Sequence, residues 1–282
     1  MNIAIFGNTN KRSTINEVER VLAFLDWQGV GLFLSQEVRH EMNLLEHYEA
    51  FDPNKDQHID CAISVGGDGT FLTTAAAVGD AGVPILGINC GHLGFLAETA
   101  TQDIEAVLSR LIEGDYIVEE RSVLKVTTKG GGHIMMPYAL NEVAVMKQEL
   151  SSMIVVETCV NGEYLHTYKA DGLVVATPTG STAYNLSVGG PIMSPRLQGL
   201  VLSPIATHSL NVRPLVTPDD IIITLKTRSR SGSYLISIDG RSQTLKEDVE
   251  LQIEKAPYSV KLVKTAGKSF MQTLREKLYW GR

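Results

Sequence analysis

The chain has 282 residues, a length that fits about two ordinary domains and leaves room for a sizeable buried core. Hydrophobic residues make up 44% and charged residues 20%, with 25 glycines and 10 prolines, a globular composition that excludes intrinsic disorder and collagen-like fibres. Lys and Arg number 25 against 32 Asp and Glu, a net charge of −7; this argues against a broad nucleic-acid or anionic-membrane surface, so a small anionic ligand must be met by local donors.

Met1 to Phe6 has no basic segment and only a four-residue apolar run from Ile3, so it reads as a first strand and not as a signal peptide. Thr14 and Glu17 have capping-box spacing, in which each side chain satisfies the other's backbone N–H, and a helix is expected to start there. Ile15, Val18, Val21, Leu22 and Leu25 then follow one helical face, and Gly29 supplies a left-handed stop. Val30 to Leu34 reads as a second strand, Ile59 to Val65 as a third that ends at Gly66 and Gly67, Thr70 to Val78 as a helix and Val83 to Ile88 as a further strand. This repeated strand-helix punctuation predicts a parallel sheet with helices on its faces.

A helix from Thr101 to Leu111 bridges to a region of different period. Ser122 to Thr128, Tyr138 to Met146, Met153 to Val160, Tyr164 to Tyr168, Gly172 to Ala176, Ile221 to Leu225, Tyr234 to Ile238, Val249 to Ile253 and Val260 to Val263 read as strands. Asn161-Gly162 is a hairpin signal, because both residues tolerate the positive φ of a type I′ turn. Phe270, Leu274 and Leu278 mark a terminal helix expected to dock on another element, such as the first domain. The expected fold class is therefore an α/β N-terminal domain with a parallel sheet plus a mostly β C-terminal domain. Residues 1–100, joined by the helix at 269–282, form the first, and 101–268 the second.

The longest uncharged stretch, Gly172 to Pro195, carries Pro178, Pro191 and Pro195 among glycines and hydroxyls, so no transmembrane segment is expected. Cys61, Cys90 and Cys159 are odd in number, far apart and outside any CxxC spacing. That fits reduced thiols in a cytoplasmic protein.

Three features bear on chemistry. Gly66-Gly67-Asp68-Gly69-Thr70 falls between a buried strand and a helix. Glycines there permit a tight turn and close approach of phosphates, while the helix N-terminus offers N–H groups and the positive end of its dipole. A plain strand-to-helix turn would need no more than a glycine pair and an N-terminal Asp, so on these residues alone the two readings stand level. Two other phosphate signatures are excluded: Gly267-Lys268-Ser269 would need a glycine at Leu262 for Walker A spacing, and GxGxxG spacing from Gly67 fails at Leu72.

The second feature is Asn141-Glu142 within an apolar run. Neighbouring strand residues face opposite sides, so one of the pair faces the interior or a cleft. A solvent-facing edge is the ordinary reading; ribose hydroxyls or a metal are the alternative partners. The third is Asp171-Gly172, then Thr177-Pro178-Thr179-Gly180-Ser181-Thr182-Ala183-Tyr184-Asn185, then Gly189-Gly190-Pro191. Hydroxyls and small residues this dense, without charge, fit contacts to a planar polar ligand better than a Gly/Pro-rich connecting loop.

These segments, with Gly91-His92-Leu93-Gly94-Phe95 and Asn211-Val212-Arg213-Pro214-Leu215-Val216, stand in the order seen in bacterial NAD kinases, and the resemblance spans essentially the whole chain. The glycine motif alone is shared with lipid kinases and, more distantly, phosphofructokinases. The Asn-Glu pair with the long Thr-Pro run is what resembles NAD kinases in particular.

The resemblance implies phosphoryl transfer from ATP, with a divalent metal ion (Mg or Mn), to the 2′-hydroxyl of the adenosine ribose of NAD, giving NADP. It implies a ligand crevice between an α/β and a β-rich dinucleotide-binding domain. A homodimer or homotetramer with shared active sites is implied too, with no nucleic acid or membrane as partner. By motif, Asp68 resembles the catalytic general base, while Gly66, Gly67, Gly69 and Thr70 form the phosphate loop. Asp68 and Gly69 also resemble NAD contacts, as do Asn141, Glu142, Lys169, Asp171, Thr182, Ala183, Tyr184, Asn185, Leu186, Ser187 and Arg241. His92 and Arg213 lie in family motifs and read as structural hydrogen-bonding residues. The loop carries no lysine between Gly66 and Thr74, so phosphate charge must be met by backbone N–H groups, a divalent ion and basic residues elsewhere. A lipid kinase would be expected to show a basic or amphipathic membrane-facing stretch, which is not evident. A dinucleotide-binding regulator would bind NAD without forming product.

Overall fold

A computed structural model describes residues 1–9, 11–44, 46–55, 57–91, 94–149, 152–265 and 269–279. The chain divides into two compact units, Met1–Glu120 with Val260–Arg282, and Arg121–Ser259.

The first unit opens with β1 (Asn2–Gly7), α1 (Arg12–Trp27), β2 (Gly31–Leu34), α2 (Gln36–Glu41), β3 (Glu49–Ala50), β4 (Cys61–Gly66), α3 (Asp68–Val78), β5 (Ile85–Asn89), β6 (Thr99–Ala100) and α4 (Ile104–Glu113). Its strands pair in parallel in the order β5-β4-β1-β2-β3. Cys61 to Val65 expose no surface, as parallel strands covered by helices on both faces require. The chain leaves β1 towards β2 and leaves β4 in the opposite direction, towards β5. The C-terminal ends of β1 and β4 therefore form a switch point, the place where open α/β sheets bind ligands.

Two expectations are corrected here. Helix α1 starts at Arg12, with Lys11 at its cap and no side-chain cap bond. Thr14 is instead buried and its hydroxyl bonds the Cys90 thiol. Helix α4 also belongs to the first unit: Ile104, Leu108 and Leu111 join Val18 and Val21 in its core, and Arg20 bonds Glu105 at 2.8 Å. The unit accordingly extends past residue 100, to Glu120.

The chain enters the second unit along β7 (Ile117–Lys129). There follow β8 (Tyr138–Ala139), β9 (Glu142–Met146), β10 (Ile154–Val160), β11 (Glu163–Ala170), β12 (Gly172–Ala176), α5 (Tyr184–Ser187), β13 (Leu200–Ile205), β14 (Leu215–Thr217), β15 (Ile223–Arg228), β16 (Ser233–Ile238), β17 (Arg241–Lys246) and β18 (Glu250–Lys264). Two antiparallel arrays result, β14-β13-β12-β9-β16-β17 and β11-β10-β15-β18. Val143, Val145 and Val175 of the first pack with Val156, Ile223 and Leu251 of the second, a sandwich core. Val174 and Ala176, on the outer face of β12, are covered by Met193 and Tyr184. Burial on both faces explains why Gly172 to Ala176 is continuously apolar.

Asn161 (φ 50) and Gly162 (φ 82) make the β10–β11 turn, with Val160 paired to Glu163. Strand β18 is one strand where two were expected. Its last residues belong to the first unit, where Leu262 pairs in parallel with Ile85 of β5. Helix α6 (Phe270–Leu278) follows in the same unit, capped by Ser269, whose hydroxyl accepts the Gln272 N–H. Phe270 packs on Phe95, centroids 6.2 Å apart, which is the docking expected of the terminal helix. His92, Gly267, Lys268 and the expected helical residues 280–282 lie outside the described residues. Among the described residues, no helix is long and apolar enough to cross a membrane.

Candidate active site

In the first unit, the Gly66–Thr70 loop lies at the C-terminal end of β4, on the switch point. Gly67 caps α3, and Asp68, Gly69 and Thr70 form its first turn, whose N–H groups have no intrahelical acceptor. A side chain at Gly67 or Gly69 would meet open space. Gly69, Thr70 and Thr73 line a cavity of about 410 Å³ with Gly7, Asn8 and Ser35. Glu37 also lines it, its carboxylate held by the Thr9 hydroxyl at 3.3 Å. An anion can approach the helix N-terminus here without a side chain in the way.

Asp68 is held by a second loop. Its Oδ1 accepts the backbone N–H groups of Leu96 at 3.0 Å and Ala97 at 3.1 Å, and its Oδ2 that of Phe95 at 2.9 Å. Asn89, at the end of β5, folds that loop by donating to Ala97 O at 3.1 Å and accepting from Gly91 N–H at 2.7 Å. Gly94 is required by close approach, since a Cβ there would stand 2.8 Å from Asp68 Cγ. Two N–H groups fill Oδ1, whereas Oδ2 accepts one and keeps a lone pair for another donor. On that side Lys277 of α6 stands at 3.5 Å.

The second unit brings together the Asn-Glu pair and the Thr-Pro run. Asp239, at the β16–β17 turn, accepts the backbone N–H groups of Leu140, Asn141 and Glu142 at 2.7, 2.8 and 3.1 Å. These bonds break the expected strand Tyr138 to Met146 into β8 and β9. Thr177 N–H donates to Asn141 O at 2.9 Å and Thr177 Oγ1 to Leu140 O at 2.6 Å. Tyr184 N–H bonds the Glu142 carboxyl, whose Oε2 is buried without a hydrogen-bond partner. Burial, reinforced by the charge of Asp239, pushes Glu142 up to about 7. Burial likewise raises Asp239 above its ordinary value, against the pull of the three N–H groups and of Arg241. An orphaned buried carboxyl oxygen is costly by itself.

Several hydroxyls of the run serve the fold instead. Ser181 Oγ bonds Pro178 O at 2.7 Å and Met193 N–H at 2.9 Å. Asn185 is fully buried: its Nδ2 donates to Ser181 O and Pro191 O, both at 3.1 Å, and its Oδ1 accepts from Ser203 Oγ at 2.6 Å. Thr182 and Ala183 lie in the turn before α5, bonded to Thr179 O and Gly180 O, and Leu186 and Ser187 lie in α5 itself. Tyr184 packs on the outer sheet face.

Of the remaining candidates, Arg241 adjoins that cluster through its charge on Asp239, whereas Asp171 and Lys169 are engaged elsewhere. Asp171 pairs with Lys147 at 2.8 Å. Lys169 lines a cavity of about 450 Å³ with Arg228 and Arg230. Arg241 donates to Tyr138 O at 2.7 Å. Residue reading missed Asn89, whose partners Gly91 and Ala97 are near in sequence, and Lys277, whose partner Asp68 is remote. Among the described residues, no group of three His, Cys, Asp or Glu is placed to hold a metal ion. The cysteines are free; burial pushes the Cys61 thiol up to about 12 and Cys90 up to about 11, so neither is a thiolate nucleophile at neutral pH.

A glycine loop thus opens a helix at a sheet switch point, beside a held carboxylate, where open α/β sheets as a class bind ligands. Residues 3–116 match the model of the ATP-NAD kinase N-terminal domain and residues 140–265 that of the ATP-NAD kinase C-terminal domain. NAD kinases of Bacteroides fragilis and Porphyromonas gingivalis are 45% and 44% identical, each over 286 residues, covering 100% and 99% of this chain and 98% of theirs. The fold matches that of yeast NADH kinase complexed with NADH (TM-score 0.91, 24% identity, 100% of this chain and 88% of that one). An Archaeoglobus fulgidus NAD kinase in complex with ATP has a TM-score of 0.73 at 26% identity, covering 94% of each chain. The chain belongs to the NAD kinase family.

Proposed function

We infer that this chain transfers the terminal phosphoryl group of ATP to the 2′-hydroxyl of the adenosine ribose of NAD, giving NADP and ADP. The observation that carries the reading is the Gly66–Thr70 loop with Asp68 Oδ2 fixed at a helix N-terminus, in a chain of this family. Asp68 Oδ2 takes the hydroxyl proton as the ribose oxygen bonds to the γ-phosphorus. The bond from that phosphorus to the β,γ-bridging oxygen breaks, its electron pair leaves with ADP, and the proton passes to water. General-base help of this kind is worth about 10²- to 10⁴-fold. The open backbone at Gly67 and Gly69, with Gly66 and Thr70, receives phosphate oxygens.

Glu142 Oε2 and Asn141 bind ribose hydroxyls. Thr182, Ala183, Tyr184, Leu186 and Ser187 line the dinucleotide pocket, with Asn185 fixing the shape of that segment. Asp171, Lys169 and Arg241 complete the polar contacts, Lys169 towards a phosphate. A divalent ion, magnesium or manganese, would be held chiefly by the phosphates of ATP, where it would supply neutralisation of phosphate charge.

We place the enzyme in the cytoplasm, as free thiols favour, and as a homodimer or homotetramer in which a neighbouring copy completes the NAD site. Incubation with NAD, ATP and magnesium, followed by an NADP-specific dehydrogenase, tests the reaction. Formation of NADP is expected, and NAD binding without NADP would overturn the reading. Light scattering reads the assembly.

A further inference from the structure

The phosphate loop has no cation of its own: from Gly66 to Thr74 there is neither Lys nor Arg. Three or four phosphate charges in a phosphoryl transfer cannot be met by N–H dipoles alone, and other kinases place a lysine at the β- or γ-phosphate. In the first unit one ammonium is already in position. Lys277 Nζ stands 3.5 Å from Asp68 Oδ2 and 4.5 Å from the centroid of the Phe95 ring. Among the described residues, it is the only cation paired with Asp68.

The placement is built by the fold. Helix α6 is capped by Ser269, pinned through Thr273 and Leu274 in the interior, and packed through the tilted ring of Phe270 on Phe95. Phe95 in turn donates its backbone N–H to Asp68. One residue thus ties the base, the ring beneath the ammonium and the helix that carries it. At 3.5 Å the Lys277–Asp68 contact is an ion pair longer than a good hydrogen bond. The ammonium has three donors, of which neither the carboxylate nor the ring face uses all. The Lys277 side chain keeps 32% of its surface exposed, so a ligand can reach it.

We propose that Lys277 is a catalytic residue of this kinase, the cation that contacts the transferring phosphoryl oxygens beside Asp68. The inference rests on the reaction assigned above. When Asp68 Oδ2 accepts the ribose proton its negative charge is lost, and the attraction of Lys277 shifts to the phosphoryl oxygens, whose charge is then being redistributed towards ADP. The ammonium thus offsets the repulsion between the Asp68 carboxylate and the incoming phosphoryl oxygens, and it holds those oxygens in place as Asp68 becomes neutral.

The test compares full-length wild type with Lys277→Met and Lys277→Arg, using steady-state kinetics in ATP and in NAD, with melting temperatures as the fold control. Lys277→Met is expected to lose about 10²- to 10³-fold in kcat, the usual cost of deleting one transition-state donor. Its KM for NAD should stay within about threefold, because the charge meets phosphoryl oxygens and not the acceptor dinucleotide. Lys277→Arg, which keeps the charge on a different fork, should recover at least tenfold of the loss, about 1.4 kcal/mol. A kcat of Lys277→Met within threefold of wild type would overturn the proposal, as would an arginine variant no better than the methionine variant at equal melting temperature. If the methionine variant melts early, its kcat is measured below its melting transition, and a value within threefold of wild type there would overturn the proposal. Absence of NADP from the wild type itself would instead overturn the reaction, so the two failures are distinguishable.

Discussion

The Asp239 carboxylate accepts the backbone N–H of Asn141 at 2.8 Å, from a residue 98 positions away in sequence. With the matching bonds from Leu140 and Glu142 it fixes the backbone from which both candidate ribose contacts project. Asp239 itself sits at φ 48, a left-handed conformation that Asp and Asn tolerate better than Ala. Asp239→Ala leaves three N–H groups without acceptors, each worth about 1–3 kcal/mol when buried. We expect a stability loss of about 3 kcal/mol or more in urea titrations, together with a KM for NAD raised more than tenfold. Asp239→Asn, which retains one acceptor and the tolerated φ, should fall between the two. An alanine variant with unchanged KM would separate Asp239 from the site.

Glu142 supplies a pH signature. Its carboxyl is raised from the ordinary 4.5 to about 7 by burial and then by Asp239. The folded chain therefore holds this proton over a range in which the unfolded chain has released it. The associated stability is fully present below pH 4.5 and is lost as pH rises through about 7. A ribose hydroxyl donated to the orphaned Oε2 favours the charged form, so NAD binding near pH 7 should release a proton. Calorimetry in buffers of different ionisation enthalpy reads that proton directly. Glu142→Gln should abolish the buffer dependence and gain stability relative to wild type as pH rises from 5 to 8. Buffer-independent binding enthalpy in the wild type would contradict the assignment.

Gly180 lets the Thr-Pro run cross the Asn141 backbone. A Cβ at Gly180 would lie 2.7 Å from Asn141 Cα, closer than any packing allows. Gly180→Ala should cost about 1–3 kcal/mol by overpacking and weaken NAD binding at least tenfold, because Asn141 and Glu142 must shift. Thermal unfolding and a fluorescence titration with NAD check both. A variant that melts lower yet binds NAD normally would mean that the crossing serves stability alone.

Much of this was legible in the sequence because local chemistry governs it. Strand β12 is reproduced residue for residue, Asn161-Gly162 turns as its φ tolerance requires, and the glycine loop opens α3 as expected. The helix start at Thr14 misled, because a buried hydroxyl found a partner in Cys90 and not at a cap. Strand β13 was missed because Pro204 interrupts it, and β17 because its residues are largely polar. Hydroxyl density marked Thr177 to Asn185 as special without revealing that Thr177, Ser181 and Asn185 spend their bonds on the fold. Lys277 was out of reach for a different reason. Its partner Asp68 comes from a distant segment, and no periodicity or motif encodes a contact that only tertiary structure makes.

The central claim is that Asp68 Oδ2 is the base, and Asp68→Asn tests it most directly. The amide oxygen can keep the Leu96 and Ala97 bonds, while the NH₂ faces Phe95 N–H and Lys277, a local cost of about 1–3 kcal/mol that leaves the fold intact. With ATP and magnesium, NADP formation by this variant should fall about 10²-fold or more, while NAD binding by titration stays within about threefold. Turnover equal to wild type, with the amide in place, would contradict the account.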